Sequence, residues 1–536
     1  MEIFTSLNLG FADAENYKKR ENKKLLNKYF IKTDELNELV DSNKYFLIGD
    51  KGTGKTAYSI FLSNNEYKNT NSKINYIRET EYSKFIALKK EKQLTLTDYT
   101  NIWKVLIYLL ISAKIQETEK ENIVFSIHSK FRPLKEAIDE FYKSAFSPEI
   151  INAISIVEES QIAASILSKN FNLSGHDKVQ ETFNESRFQV NLMFIQKKFE
   201  TALNSLNLEK NHIQFIDGID IRPRNIDYED YLECIKGLAN ATWSLNNDFF
   251  ANIKGSKGRI KVVLLLRPDI FSHLGLQNLN TKIRDNSVLL DWRTTYPIFN
   301  TSKIFKMSDN ILSSQQKTIH DLGECWNHYF NFSPTVVGKK ENSFVSFLRY
   351  SMFRPRDIVT MMTILQDKVK NEISSGRKYP IVDQKDFESS EFLNKYSDYL
   401  LGEIKDYLAF YHSDKDYELF LKFFEFLNGK AKFTYEDYIN SYDEYANYIE
   451  KDNLDVPYFF DSSDSFLQFL YDLNIICYVE DTEEDTHIHW SFRERTYSNI
   501  NPKVKEGLKY IIHYGLQKSF NTGKKIKRRV IKKKVN

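Results

Sequence analysis

Residues 49–56 read Gly49-Asp50-Lys51-Gly52-Thr53-Gly54-Lys55-Thr56, three glycines within six positions of a chain that has 18 in 536. The spacing is G-x-x-x-x-G-K-[ST], the P-loop pattern, in which successive backbone N–H groups turn inward around a phosphate. Glycine suits it because a side chain would clash at left-handed dihedrals and block close approach of the anion. Lys55 is placed to reach the β- and γ-phosphates of a nucleotide as a point charge. The Thr56 hydroxyl is placed to ligate Mg²⁺. A helix starting here would add its positive end to the same anion.

Such a loop works only between a strand and a helix, and the flanking residues supply both. Lys44 to Ile48 is an apolar run of strand length, and Ala57 to Leu62 opens a helix. Further strand-like runs follow at 73–78, at 213–216 ending in Asp217, at 259–266 ending in Arg267-Pro268-Asp269, and at 286–292. Asp217 at a strand end is the pattern of a carboxylate that holds Mg²⁺, usually through water. Strands alternating with helices predict an α/β fold with a mainly parallel sheet, whose ligands bind beyond the carboxyl ends of the strands.

The remaining organisation is largely helical. Residues 1–34 read as an N-terminal helical segment and 35–300 as the core, interrupted by a helical insertion over about 97–210. Residues 301–400 read as a helical lid containing Arg354-Pro355-Arg356-Asp357, with Pro355 suited to a first helical turn. Residues 401–515 predict three helices followed by a hairpin with an acidic tip, the order of a winged helix; residues 516–536 form a basic tail.

Composition narrows the class. Apolar residues are 41% and aromatics 14%, which excludes a disordered chain. No run reaches the roughly 18 uncharged apolar residues of a membrane helix, and the N-terminus lacks the pattern of a secretory signal. A cytoplasmic location is expected. Cys234, Cys325 and Cys477 are too scattered for a zinc site or a disulfide framework, and His487 and His489 read as strand surface. Net charge is +2, but residues 524–534 hold eight Lys and Arg and no acid, so residues 1–523 carry −6. That tail, Lys524 to Lys534, is the candidate nucleic-acid contact, or else a solubilising end or a contact for an acidic partner.

GDKGTGKT, IDGID, LLLRPDIF and FRPRD, in that order over roughly residues 35–370, resemble bacterial STAND-type and AAA+-like P-loop ATPases, several of them encoded beside antiphage defence genes. The resemblance implies an ASCE-type P-loop NTPase core with a helical lid and a winged-helix-like domain. It also implies ATP and Mg²⁺ as ligands, a conformational switch, homo-oligomers and an effector partner. On it, Lys55, Thr56 and Asp217 contact phosphate and metal, and Asp220 orients or deprotonates the attacking water. The commoner pattern has Glu directly after the magnesium Asp; this chain has Gly218, so slow hydrolysis is expected. Arg267 is either a sensor of the γ-phosphate or a partner of Asp269. Arg354 and Arg356 are either arginines that neutralise transition-state charge or a salt-bridged helix start with Asp357.

Other readings stay open. Asn172 to His176 has part of an ABC signature but reads better as a loop. A DNA-dependent ATPase using the basic tail, and a non-catalytic ATP-bound scaffold, are the competing functions. ATP and GTP are not distinguished by any base-reading motif.

Overall fold

In the computed structural model, the strand-like runs pair into one sheet. The structure describes residues 1–76, 96–120, 131–144, 185–220, 222, 228–275, 279–336, 339–412, 414–452, 454, 457–483 and 486–523. Asn172 to His176 and the tail from residue 524 lie outside them.

The described chain divides into two compact units, Asp13–Asp291 and a second made of Met1–Ala12 with Trp292–Asn536. The first carries the sheet. Strands β1 (Phe46–Ile48), β2 (Thr70–Tyr76), β3 (Asn211–Asp217), β4 (Ile260–Leu266) and β5 (Ser287–Leu289) are all parallel, in the order β2-β3-β4-β1-β5. Every residue of β1 and β4 is buried, as expected for parallel strands covered on both faces. That burial includes Lys261, whose ammonium donates to the Leu39 carbonyl at 2.7 Å and to the Asp41 carbonyl, capping helix α2 (Asp34–Leu39).

Helix α1 (Lys23–Tyr29) precedes α2, and α3 (Lys55–Asn64) follows β1. The insertion contributes α4 (Leu96–Lys120), α5 (Arg132–Ser144) and α6 (Glu185–Asn204); α7 (Tyr228–Ser244) connects β3 to β4. Gly237 of α7 is needed for close helix packing: a Cβ there would stand 2.5 Å from the Tyr99 Cβ of α4.

The second unit is mainly helical. Its first twelve residues are held there by Phe4, whose ring lies 5.5 Å from both Tyr329 and Phe330, and by Gln366, which donates to the Phe4 and Leu7 carbonyls. Within the 301–400 segment lie two helices, α8 (Ser343–Tyr350) and α9 (Pro355–Ser374), with Pro355 at the first turn of the second. Helix α10 (Ser390–Tyr411) leads to α11 (Asp414–Phe426), which ends before Asn428 and Gly429, both at positive φ. Then come β6 (Lys432–Thr434), α12 (Tyr435–Lys451) with a Thr434–Asp437 capping box, and α13 (Ser463–Asp472).

The expected hairpin is present as β7 (Ile476–Asp481) and β8 (Thr486–Trp490). A further strand, β9 (Lys509–Ile512), inserts between β7 and β6 in an antiparallel sheet ordered β8-β7-β9-β6. The sequence reading did not include β6, whose Lys432-Phe433-Thr434 has a single apolar residue, or β9, a four-residue strand beyond the hairpin. All three cysteines are buried, and burial pushes the Cys234 and Cys477 thiols up to about 12. No described helix is long and apolar enough to cross a membrane.

Candidate functional site

Parallel pairing sets the carboxyl ends of the strands along one edge, with Tyr76 opposite Asp217, and Ile48 opposite both Leu266 and Leu289. The residues that leave this edge are Gly49 after β1, Gly218 after β3 and Arg267 after β4. In an α/β sheet that is where a ligand crevice forms.

The glycine loop occupies the end of β1. Gly52 and Gly54 have φ of +88° and +98°, so the two central glycines adopt the backbone that their residue type permits. Gly54 then caps α3 directly. Gly49 is required for a different reason: a Cβ there would stand 2.4 Å from Thr53 Oγ1 and 3.3 Å from Leu290 Cβ. Thr53 Oγ1 in turn donates to the Asp50 carbonyl at 2.7 Å, which fixes the turn.

Lys55 is buried at the first turn of α3, and its ammonium donates to the carbonyls of Gly49 (2.9 Å) and Asp50 (3.3 Å). Burial pulls its pKa down, while the charges of Asp220 and Asp217 push it up and that of Arg267 adds to the fall. A cation desolvated beside a glycine loop is poised for an anion.

Thr56 and Asp217 meet at this edge. Thr56 Oγ1 donates to Asp217 Oδ2 at 2.6 Å, across 161 residues of sequence, and Gly218 N donates to Asp217 Oδ1 at 2.8 Å. Burial and then the charge of Asp220 raise the Asp217 pKa to about 6; the hydrogen bond from Thr56 and the charge of Lys55 hold it from going higher. A hydroxyl and a carboxylate form an oxygen donor pair that suits Mg²⁺, a hard cation. The cradle and these donors together fit a magnesium-bound phosphate group.

Gly218 has φ of +89°, which explains why the residue after Asp217 is not a carboxylate. A side chain there would be strained, and the next acid along the chain is Asp220, half-buried in the following turn. Its charge acts on both Lys55 and Asp217.

Arg267 is buried and forms a two-pronged pair with Asp269, Nε to Oδ1 at 3.1 Å and Nη2 to Oδ2 at 2.6 Å. Both readings of this arginine therefore have a physical basis: it is paired with Asp269, and its charge is felt at Lys55.

Arg354 and Arg356 belong to the other unit. Arg354 is buried, with Nε at 3.0 Å from both Asp357 oxygens and Nη2 at 2.7 Å from Oδ1. Asp357 also accepts from Met352 N and from the Tyr399 hydroxyl. Arg356 donates to Glu403 at 3.3 Å and to the Ala12 carbonyl at 3.0 Å. Removing one partner from such a buried pair costs roughly 3–5 kcal/mol, so Arg354 organises the start of α9.

His489 lies between Glu480 and Glu494, at 3.0 and 3.1 Å from its two ring nitrogens. Carboxylates on opposite sides of one ring cannot share a metal with it, and among the described residues no group of three His, Cys, Asp or Glu could hold a metal ion. The contact sequence reasoning missed is Leu290, whose packing against Gly49 is visible only once β5 pairs with β1. Compared with known proteins, the chain matches no protein-family model and no curated protein.

Proposed function

We propose that the chain binds ATP with Mg²⁺ through residues 49–56 and hydrolyses it slowly, as a conformational switch of STAND or AAA+-like type. The observation that carries the reading is the Thr56–Asp217 hydrogen bond of 2.6 Å beside a glycine loop that encloses the Lys55 ammonium. In a P-loop ATPase those groups hold the metal and the phosphates. The sheet order supports the ASCE-type assignment, because β4 separates the loop strand β1 from the Asp217 strand β3.

The bound metal would neutralise developing charge on the phosphoryl oxygens. Thr56 and Asp217 would hold it, Lys55 would face the β- and γ-phosphates, and the loop N–H groups would fix their position. Asp220 would orient the attacking water. Gly218, where the commoner AAA+ pattern has Glu, favours low turnover.

In the second unit, the order α11, β6, α12, α13 and the β7–β8 hairpin supports a winged-helix-like domain, here extended by β9. Its last helix, α13, carries Asp464 and Asp472 and neither Lys nor Arg. That charge disfavours insertion into a nucleic-acid groove and favours a protein contact, the effector or a second copy.

The test is titration of a fluorescent ATP analogue into wild-type and Lys55→Ala protein with Mg²⁺. Loss of the charged hydrogen bonds predicts a fall of about 2–3 kcal/mol, roughly 30- to 150-fold. Equal affinity in a Lys55→Ala protein that melts like the wild type would overturn the proposal.

A further inference from the structure

Residues 18–32 contain seven Lys and Arg against one acid, Glu21, inside a stretch of 1–523 that is net acidic. Lys19, Arg20, Lys23, Lys24, Lys28 and Lys32 are all exposed. The fold gives the run a definite shape. On α1 the successive 100° steps place Leu25, Leu26 and Tyr29 on one side, where Leu26 and Tyr29 are buried. Lys23, Asn27, Lys24 and Lys28 fill the opposite arc, so the outward face has three cations, one amide and no acid.

The face is held firmly against α3. Phe30 stacks on Phe61 with ring centroids 4.1 Å apart and meets Tyr58 edge-on at 5.0 Å, and Thr33 and Tyr58 share a 2.7 Å hydrogen bond. Asn27 and Asn65 exchange hydrogen bonds of 2.9 and 2.7 Å, tying the outward face of α1 to the far end of α3. Beyond them Lys32 and the exposed Lys68 lie over the same Tyr67 ring, at 5.7 and 5.9 Å. At the other end Lys18 lies 4.2 Å over the ring of Tyr76, the last residue of the edge strand β2. The nearby Glu66 is paired with Lys210 at 2.7 Å. The cations thus form one track, beginning at the carboxyl edge of the sheet and running along the outside of α3.

We infer that this track is a docking surface for the phosphate backbone of a nucleic acid, separate from the basic tail. A row of cations on a rigid support meets a continuous row of phosphates and releases their counterions. A membrane surface is the poorer fit, because an interfacial helix needs an apolar face to insert and the apolar residues of α1 pack inward. An acidic protein is also the poorer fit, since its carboxylates are interspersed with cations that this strongly cationic run repels. A track built mainly of lysines contacts phosphates as point charges, so binding is expected to be independent of sequence.

The experiment measures binding of the full chain to a short labelled duplex DNA by fluorescence anisotropy, between about 50 and 200 mM salt. It compares wild type, the triple variant Lys23→Gln, Lys24→Gln, Lys28→Gln, the same three positions changed to Arg, and a tail variant Lys532→Gln, Lys533→Gln, Lys534→Gln. The α1 Gln variant is expected to bind more weakly and to reduce the log–log salt slope by about 3, near 0.9 per lost phosphate contact. The Arg variant keeps wild-type binding because the charge is retained, and a Gln variant that melts like the wild type excludes a folding defect. The tail variant keeps the α1-dependent part. No duplex binding by the wild type, or an α1 Gln variant with unchanged slope, overturns the inference. So does a variant that loses binding to phosphatidylserine vesicles or to a polyglutamate peptide but not to DNA.

Discussion

Thr56 Oγ1 donates a 2.6 Å hydrogen bond to Asp217 Oδ2, joining the first turn of α3 to the end of β3 at a carboxylate whose pKa is raised to about 6. Mg²⁺ requires that carboxylate ionised, so protons compete with the metal. Magnesium-dependent nucleotide affinity is therefore expected to hold above pH 6 and to fall about tenfold per pH unit below it. Titration of a fluorescent nucleotide at fixed Mg²⁺ from pH 7.5 to 5 reads this directly.

The same residue makes a stability prediction. The folded pKa of about 6 exceeds the unfolded 3.8, so the native state carries no penalty below pH 3.8, a growing one between 3.8 and 6, and the full penalty above 6. Replacing the acid by its neutral isostere, Asp217→Asn, is expected to stabilise the ligand-free protein by up to about 3 kcal/mol at neutral pH. It should at the same time abolish the magnesium dependence of nucleotide binding. Urea melts with and without Mg²⁺ check both halves.

Asp220 acts on Lys55 and Asp217 through its charge and follows a glycine whose backbone is left-handed. If it orients the attacking water, Asp220→Asn lowers turnover by about 10²- to 10⁴-fold while nucleotide affinity stays near wild type. Phosphate release under single-turnover conditions separates the two; unchanged release would assign Asp220 to structure.

Gly49→Ala places a methyl group 2.4 Å from Thr53 Oγ1. The loop must open to relieve it, and overpacking of this kind typically costs about 1–3 kcal/mol. Nucleotide affinity is expected to drop, and adding Thr53→Ala, which deletes the obstructing oxygen, is expected to restore part of it. A double-mutant cycle on affinity measures the coupling.

His513 in the second unit is buried, with Nδ1 accepting from Gly515 N and Nε2 facing the Ser351 carbonyl at 3.2 Å, an arrangement that needs the neutral ring. Burial lowers its pKa to about 3, and the charges of Arg354 and Arg493 act in the same direction. Since the folded value lies below the unfolded 6.5, the stabilisation is complete above pH 6.5 and is lost as pH falls toward 3. This unit should lose about 2 kcal/mol between pH 7 and 5 through this group. Hydrogen exchange of the β9 amides reports it, and His513→Gln should flatten the dependence.

Features settled within a dozen residues were legible in the chain alone. The glycine spacing of 49–54, the Lys55 and Thr56 positions, the cap at Thr434 and the stop at Asn428-Gly429 follow from local dihedrals and near-neighbour hydrogen bonds. The runs ending at Ile48, Asp217 and Leu266 were legible because buried parallel strands are continuously apolar. The order in which those strands pair emerged only in the folded chain, and with it the meeting of Thr56 and Asp217 and the approach of Leu290 to Gly49. The fold also decided that Arg354 faces Asp357, that β9 enters the middle of its sheet, and that residues 1–12 pack with the chain's second half. Those outcomes depend on which buried surfaces and unpaired backbone groups satisfy one another across hundreds of residues, and no local pattern of side chains encodes that choice.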